Sequence, residues 1–196
     1  MGVEKRETYN YFNVSRGKLR YKENGQPAEA NAYTGTIVGI REKAGEYEGQ
    51  PTMKIEVKLR DTDSDAFAIV QFTKEALFCL GFFARIRKVD LSKPVTIGVL
   101  ASDKNDKVSF CYLKQKEYTG NPDPKKQGII DKDKSFPAYT TVKVSGKDVN
   151  DYTKPFEEID AIMKHINEKL AVHAPATTAA EVSATLVPTP DDDLQF

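Results

Sequence analysis

Several residue types that often mark structure or chemistry are rare in this chain. It has no tryptophan, two histidines and two cysteines among 196 residues. Cys79 and Cys111 form no Cys-x-x-Cys pair and have no histidine nearby, which argues against a zinc knuckle and a disulfide scaffold. No apolar run approaches about 18 residues, and the first six residues lack the apolar core of a signal peptide. We therefore expect a soluble intracellular protein without a membrane span, with both cysteines buried as small apolar side chains.

Motifs for catalysis are also missing. The glycine-rich phosphate loops of nucleotide-binding proteins do not occur, and no acidic cluster indicates a metal site. Asp61, Asp63 and Asp65 are spaced like the start of a calcium loop, but the required Gly and distal Glu do not follow, so we interpret them as a turn. The sequence therefore predicts a protein that is not an enzyme and that needs no cofactor or metal.

The formal charge is zero, but the charges are unevenly distributed. Residues 173–196 contain four acidic residues and no Lys or Arg, so residues 1–172 hold 29 basic and 25 acidic side chains, a net charge of +4. Such a separation suggests a polyanion as the partner of the basic part and a different partner for the acidic end. A charge of +4 is also compatible with a protein that binds nothing charged.

Apolar and polar residues alternate in several segments between residues 33 and 116. Residues 53–60 alternate most strictly, and Gly35 and Gly39 would let the first segment bend sharply. Strands are predicted at residues 33–42, 53–60, 66–72, 94–101 and 107–116, and a helix capped by Thr73 at residues 74–89. This order is that of the OB-fold, a five-stranded Greek-key barrel with a helix between its third and fourth strands. We predict a mostly β protein built on this barrel.

Further elements are predicted outside the barrel, before and after its segments in the chain. A hairpin is expected at residues 9–14 and 18–22, a mobile basic loop at 120–134, one more strand at 136–144, and an amphipathic helix that docks on the barrel at 155–170. Residues 173–190 are rich in Ala, Thr and Pro, which is typical of a disordered linker. The predicted organisation is thus an elaborated domain (1–172), a linker (173–190) and an acidic tip (191–196).

The tip, Asp191-Asp192-Asp193-Leu194-Gln195-Phe196, combines three carboxylates with a terminal aromatic ring. An acidic run can settle on a basic surface while Phe196 fills an apolar pocket and its carboxylate meets an Arg. This tip resembles that of bacterial and bacteriophage single-stranded DNA-binding proteins, in which several Asp precede a short apolar pair ending in Phe. Gln195 departs from that pattern, which usually has Pro at this position.

The resemblance implies a function in DNA replication, recombination or repair. A protein of this family binds single-stranded DNA without strong sequence preference and recruits other proteins through its tip, here Asp191, Asp192, Asp193, Leu194 and Phe196. It also implies a location in the cytoplasm of a bacterium or a phage-infected host, and a tip that competes with DNA for the basic groove. The elaborated ends and the single barrel are more similar to the bacteriophage proteins.

A binder of single strands that ignores sequence needs cations for the phosphates and aromatic rings for the unpaired bases. The main stacking candidates are Phe110 and Tyr112, predicted on one face with Lys114 and Lys116, although Phe110 also fits a core position. Other candidates for the DNA-binding surface lie on the second strand and near the amino terminus: Lys54, Lys58, Arg60, Tyr9, Tyr11, Arg16, Lys18, Arg20 and Lys22. Phe72, Phe78, Phe82 and Phe83 are predicted in the core.

Three alternatives stay open. The barrel could be a scaffold in a protein-interaction adaptor that acts through its tail, or it could bind RNA. The third is an enzyme such as a nuclease, for which the sequence offers no candidate site. The sequence leaves undetermined the oligomeric state, the size and polarity of the binding site, and the identity of the recruited proteins.

Overall fold

The computed structural model describes residues 9–47, 49–64, 66–121 and 123–173. Within these ranges the protein is mostly β, with ten strands and two α-helices. The strands are β1 (Tyr9–Ser15), β2 (Lys18–Glu23), β3 (Gln26–Ala30), β4 (Ala32–Tyr47), β5 (Gln50–Asp61), β6 (Phe67–Thr73), β7 (Val95–Ala101), β8 (Ser109–Lys114), β9 (Thr140–Val144) and β10 (Lys147–Asp151). The helices are α1 (Leu77–Ile86) and α2 (Thr153–His173).

Eight strands form one curled sheet in the order β3-β2-β1-β6-β5-β4-β7-β8. The five strands predicted from the sequence are β4 to β8, and α1 follows the third of them as predicted. The sheet is larger than a five-stranded barrel, because β1 pairs with β6 in parallel and β2 and β3 extend the sheet beyond it. The predicted amino-terminal hairpin therefore belongs to the main sheet. The sequence predicts this hairpin outside the five-stranded barrel, and the structure joins it to the strands of that barrel in one sheet.

The sheet curls until its first hairpin meets its last one. The backbone N–H of Gly17, in the β1–β2 turn, donates a hydrogen bond to Ser109 Oγ at 2.8 Å. A β-carbon on Gly17 would be 2.4 Å from the Cβ of Ala101, and Gly17 has a φ of +71°. Both the close approach and the left-handed backbone require glycine at this turn.

Strand β4 is long and bent, as its glycines predict. It pairs with β7 over Ala32 to Gly35 and with β5 from Gly35 onward, and its register with β5 shifts between Ile37 and Gly39. Such a bulge bends a strand and increases its twist, which lets one strand serve both halves of a curled sheet.

Helix α1 lies in the core. Phe78, Phe82 and Phe83 are fully buried, and the Phe72 ring packs on two of them with centroid separations of 4.9 and 5.4 Å. The predicted core placement of these four rings is confirmed. The helix is shorter than predicted: it begins after Ala76, which provides no side-chain cap, so the prediction of a Thr73 cap was wrong.

Both cysteines are buried, as predicted from the sequence. The exposed fraction is 0% for Cys79 and 4% for Cys111, and both are free thiols. Burial raises the pKa of each thiol well above its ordinary value, because the thiolate would lose its hydration.

Helix α2 docks on the sheet through Ile159, Ile162 and Ile166, which are buried on one side of the helix. The Asn167 side chain bonds to both backbone groups of Ile40: its Oδ1 accepts from the N–H at 3.1 Å and its Nδ2 donates to the carbonyl at 2.7 Å. Asn167 thus provides hydrogen-bond partners for the backbone N–H and carbonyl of Ile40, on the edge of β4 where pairing with β7 has ended. The helix continues to His173, three residues beyond its predicted end.

The segment between β8 and β9 is held against the sheet. Ile130 is 1% exposed, and its N–H donates to the carbonyl of Leu113 at 2.9 Å. Asn121 Nδ2 donates to Asp131 Oδ1 at 2.9 Å and ties the two ends of the loop together. These contacts order much of the stretch that the sequence predicts as a mobile loop.

Part of the strand predicted at residues 136–144 forms β9, which among the described residues pairs only with β10, in a separate two-stranded ribbon. Neither described helix is long and apolar enough to cross a membrane. The predicted linker, apart from His173, and the acidic tip lie outside the described residues.

Candidate functional site

The outer face of the sheet, the face that points away from α1, carries most of the predicted site residues. Ile55, Val57 and Leu59 of β5 are fully buried, so the alternating side chains Lys58 and Arg60 point outward. Register then aligns outward residues of neighbouring strands: Arg60 lies opposite Phe67 on β6, and Phe67 lies opposite Tyr9 on β1. We call the resulting cluster the β5–β6 patch; its members are Tyr9, Tyr11, Lys58, Arg60 and Phe67.

Cations lie directly over aromatic rings in the β5–β6 patch. Lys58 Nζ is 4.1 Å from the centroid of the Phe67 ring and 4.9 Å from that of Tyr9, and it donates a hydrogen bond to the Tyr9 hydroxyl at 3.0 Å. The guanidinium carbon of Arg60 is 5.7 Å from the Phe67 centroid. Cation–π attraction at these distances fixes long side chains that would otherwise be mobile. Tyr11, which is 45% exposed, stands beside Tyr9 with a centroid separation of 6.4 Å.

One carboxylate lies on the outer face next to this patch. Glu56 is only 2% exposed, and its oxygens accept hydrogen bonds from Arg41 Nε at 2.7 Å and from Gln71 Nε2 at 2.9 Å. The pKa of Tyr11 is raised, first by burial and second by the negative charge of Glu56. Glu56 is thus paired and covered, and the charged members of the patch itself are Lys58 and Arg60.

A second aromatic group lies on β8, at the edge of the sheet. Cys111 and Leu113 are buried, so Phe110, Tyr112 and Lys114 point outward. Phe110 is 41% exposed and faces Leu100 of β7, which is 53% exposed. Phe110 therefore lies at the surface and not in the core. We call this cluster the β8 patch; its members are Leu100, Phe110, Tyr112 and Lys114.

Threonine side chains connect the two patches across β4 and β7. Thr36 lies opposite Arg60, and Thr96 lies opposite Lys114. Between them, the hydroxyls of Thr34 and Thr96 are 2.8 Å apart and share a hydrogen bond. The outer face is thus a continuous polar band with an aromatic, cationic patch at each end.

The other predicted site residues lie at the margins of this band or outside it. Lys54 is half-buried on β5, beyond Glu56. Arg16 is exposed in the β1–β2 turn, and Lys18 Nζ donates to Asn31 Oδ1 at 2.7 Å. Lys22 is exposed on β2.

Two predicted cations are less suited to the site. Arg20 forms an ion pair with Glu29 at 3.0 Å, which neutralises its charge. Lys116 follows β8 in a turn, so the prediction that it continues the strand face was wrong, because β8 ends at Lys114.

Phe67 and Leu100 belong to the patches but are not predicted from the sequence. No alternation in the sequence marks Phe67, because Ile69 on the same face of β6 is also apolar and is only 4% exposed.

The arrangement offers flat apolar rings beside fixed positive charges. Such a surface can bind a molecule that carries aromatic groups and negative charges at regular intervals.

Among the described residues, no group of three or more His, Cys, Asp or Glu side chains could hold a metal ion. Asp61 accepts backbone hydrogen bonds from Asp63 and Ser64, as a turn residue does.

Comparison with protein-family models, with curated proteins and with solved structures finds no match to this chain.

Proposed function

We propose that this protein binds single-stranded DNA without strong sequence preference, and that the outer face of the sheet is the binding surface. The observation that carries the proposal is the β5–β6 patch, in which Lys58 and Arg60 lie within 6 Å of the Phe67 ring and next to the exposed Tyr11. A single strand presents unpaired bases and one phosphate per nucleotide. The patch has a partner for each of them.

We further propose that β4 to β8 form a variant of the OB-fold. Their pairing order, β6-β5-β4-β7-β8, and the position of α1 after the third strand support this assignment. In that fold the face of the second and third strands binds oligonucleotides. Those strands are β5 and β6 here, and they carry Lys58, Arg60 and Phe67. In this variant β1 takes the place beside β6 and enlarges the face with Tyr9 and Tyr11.

Stacking and charge should contribute differently to binding. Each stacked base contributes about 1 to 3 kcal/mol, as judged by alanine substitution. Solvent-exposed ion pairs contribute about 0 to 1 kcal/mol each and weaken in salt. We therefore expect the rings to supply most of the affinity at high salt, and the lysines and arginines to determine how steeply affinity falls as salt is added.

The test is a titration of the full chain with fluorescent oligo(dT) at several salt concentrations. We expect the logarithm of the binding constant to fall linearly with the logarithm of salt concentration, with a slope of about −0.7 per phosphate contacted. Phe67→Ala should weaken binding by about tenfold, which corresponds to the loss of one stacked base. Tyr139→Ala is the control, because Tyr139 is an aromatic residue, 37% exposed, that lies beside the β9–β10 ribbon and outside the eight-stranded sheet.

Three other outcomes would redirect the assignment. Absent binding, or binding that does not respond to salt, would favour an adaptor that uses the sheet only as a scaffold. Tighter binding of oligo(U) than of oligo(dT) would favour an RNA-binding protein. Equal binding of duplex DNA would contradict a role for base stacking, because duplex bases are not accessible to the rings.

We also propose that the acidic tip recruits proteins of DNA replication, recombination or repair. Support comes from the sequence of Asp191 to Phe196 alone. Deleting residues 194–196 should abolish partner capture while leaving the affinity for oligo(dT) unchanged or raised. A lower affinity in this truncated protein would contradict competition between the tip and DNA.

A further inference from the structure

The β9–β10 ribbon has one apolar and one polar face. Val142 lies opposite Val149, and Val144 lies opposite Lys147, so the three valines share a face. Their exposed fractions are 41%, 54% and 45% for Val142, Val144 and Val149. The other face carries Thr141, Lys143, Asp148 and Asn150.

Within the described residues, the ribbon is anchored at its base. The Tyr139 ring packs on Tyr152 with a centroid separation of 5.3 Å, and Tyr152 stacks on Phe156 of α2 at 5.5 Å. In the part of the chain that the structure describes, no other helix or strand makes extensive contact with either ribbon strand. Two-stranded hairpins are marginally stable in water, and grouped apolar side chains at a surface commonly mark a contact with another molecule.

We propose that the valine face binds the same face of a second copy of this chain. The distribution of charge along β10 favours this occupant: Lys147 lies near the turn, Val149 in the middle and Asp151 at the base, all on the valine face. Consider two ribbons stacked face to face, related by a two-fold axis that lies between them and runs perpendicular to their strands. This axis would place Val149 on Val149 of the second copy and Val142 on Val142 of the second copy. The same axis places each Lys147 against Asp151 of the second copy, so the face is complementary to itself.

This contact is small. Stable complexes bury about 800 Å² on each partner, whereas the ribbon face contributes only six side chains. The association is therefore weak and depends on protein concentration. Its two ion pairs are screened by salt, while its valine contacts are not.

The first test is analytical ultracentrifugation of the full chain over a range of concentrations, with Val142→Lys and Thr141→Lys as a matched pair. Both variants add a lysine to the middle of the same exposed strand, but only the first changes the valine face. We expect the wild-type chain and Thr141→Lys to approach twice the 21.9 kDa monomer mass as concentration rises. Val142→Lys should raise the dissociation constant by at least about tenfold.

The second test reverses charges. Lys147→Glu should weaken self-association because it places a carboxylate opposite Asp151 of the second copy, whereas Lys143→Glu, on the polar face, should not. Asp151→Lys should also weaken self-association, and an equimolar mixture of Lys147→Glu and Asp151→Lys chains should associate more tightly than either alone. A wild-type chain that stays monomeric, or equal effects of Val142→Lys and Thr141→Lys, would overturn the inference.

Asp151 Oδ1 also accepts the N–H of Thr153 at the start of α2, so the fold of Asp151→Lys must be checked by circular dichroism. If that variant does not fold, the comparison of Lys147→Glu with Lys143→Glu decides the question. The inference is independent of DNA binding, since the ribbon lies outside the eight-stranded sheet.

Discussion

The ring of Tyr112 lies across Gly98 on the neighbouring strand. The two residues are paired in register between β7 and β8, and a β-carbon on Gly98 would be 2.0 Å from Cζ of Tyr112. Glycine weakens a strand interior and is found where another group must approach closely. Gly98 therefore allows the Tyr112 ring to lie against the sheet in the β8 patch.

Replacing Gly98 with alanine should displace this ring. We expect Gly98→Ala to lower the free energy of unfolding by about 1 to 3 kcal/mol, because the added methyl group overpacks the site. It should also weaken oligo(dT) binding by up to about 1 to 3 kcal/mol, the contribution of one stacked base. Thermal unfolding and the oligo(dT) titration measure the two effects. Gly39→Ala is the control, because nothing lies within 4 Å of a β-carbon built there. Unchanged affinity in Gly98→Ala would remove Tyr112 from the proposed binding surface.

Lys58 should contribute one phosphate contact. Lys58→Gln is expected to make the salt slope of oligo(dT) binding shallower by about 0.7, because one fewer counterion is released per bound strand. Lys164→Gln, at an exposed position on α2, serves as the control and should leave the slope unchanged. The same slope in both variants would show that Lys58 does not meet a phosphate and only orders Phe67 and Tyr9.

The ionisation of Tyr11 should depend on Glu56. The pKa of Tyr11 is raised by burial and then by the charge of Glu56, so Glu56→Gln should lower it. A raised pKa means that folding favours the neutral phenol. The contribution of Tyr11 to the free energy of unfolding is therefore present below pH 10.0, the ordinary pKa, and is lost as pH rises through the raised pKa. The difference in ultraviolet absorbance between each protein and its Tyr11→Phe variant, followed over alkaline pH, isolates this titration. A pKa that does not fall in Glu56→Gln would contradict the electrostatic contribution.

Lys74 should stabilise the docking of α2. It is 7% exposed, its Nζ donates to Asp160 Oδ1 at 2.7 Å and to Glu42, and it lies 5.0 Å from the centroid of the Phe156 ring. Burial lowers the pKa of Lys74, but its hydrogen bonds with Asp160 and Glu42 outweigh this effect and the net pKa is raised. Stability from this group is therefore present below pH 10.5 and is lost as pH rises through the raised pKa.

Lys74→Met should lower the free energy of unfolding by about 1 to 3 kcal/mol, because two carboxylates lose their partner while remaining partly hydrated. Urea unfolding measures this difference. Lys164→Met is the control, because it replaces an exposed lysine of α2 with the same side chain. If both variants unfold at the same urea concentration, the Lys74 ion pairs do not contribute to stability.

Local periodicity explains which elements the sequence predicts well. Strict alternation in β5 and the apolar face of α2 locate both elements, because a half-buried strand and a docked helix each repeat their contacts with the core. The hairpin between β2 and β3 could also have been predicted, since Asn24-Gly25 is a typical type I′ turn pair and both residues have positive φ. The hairpin predicted at residues 9–14 and 18–22 corresponds to β1 and β2, so the sequence prediction omits β3.

The sequence by itself determined the order of β4 to β8 with α1, the core rings and the outward direction of Lys58 and Arg60, because these follow from side-chain periodicity along one strand or helix. Only the tertiary structure decided that β1 joins β6 in parallel and that Tyr9 and Phe67 come together. It also decided that β9 and β10 leave the sheet. Pairing between segments distant in the chain depends on how the whole sheet curls around its core, which no local pattern encodes.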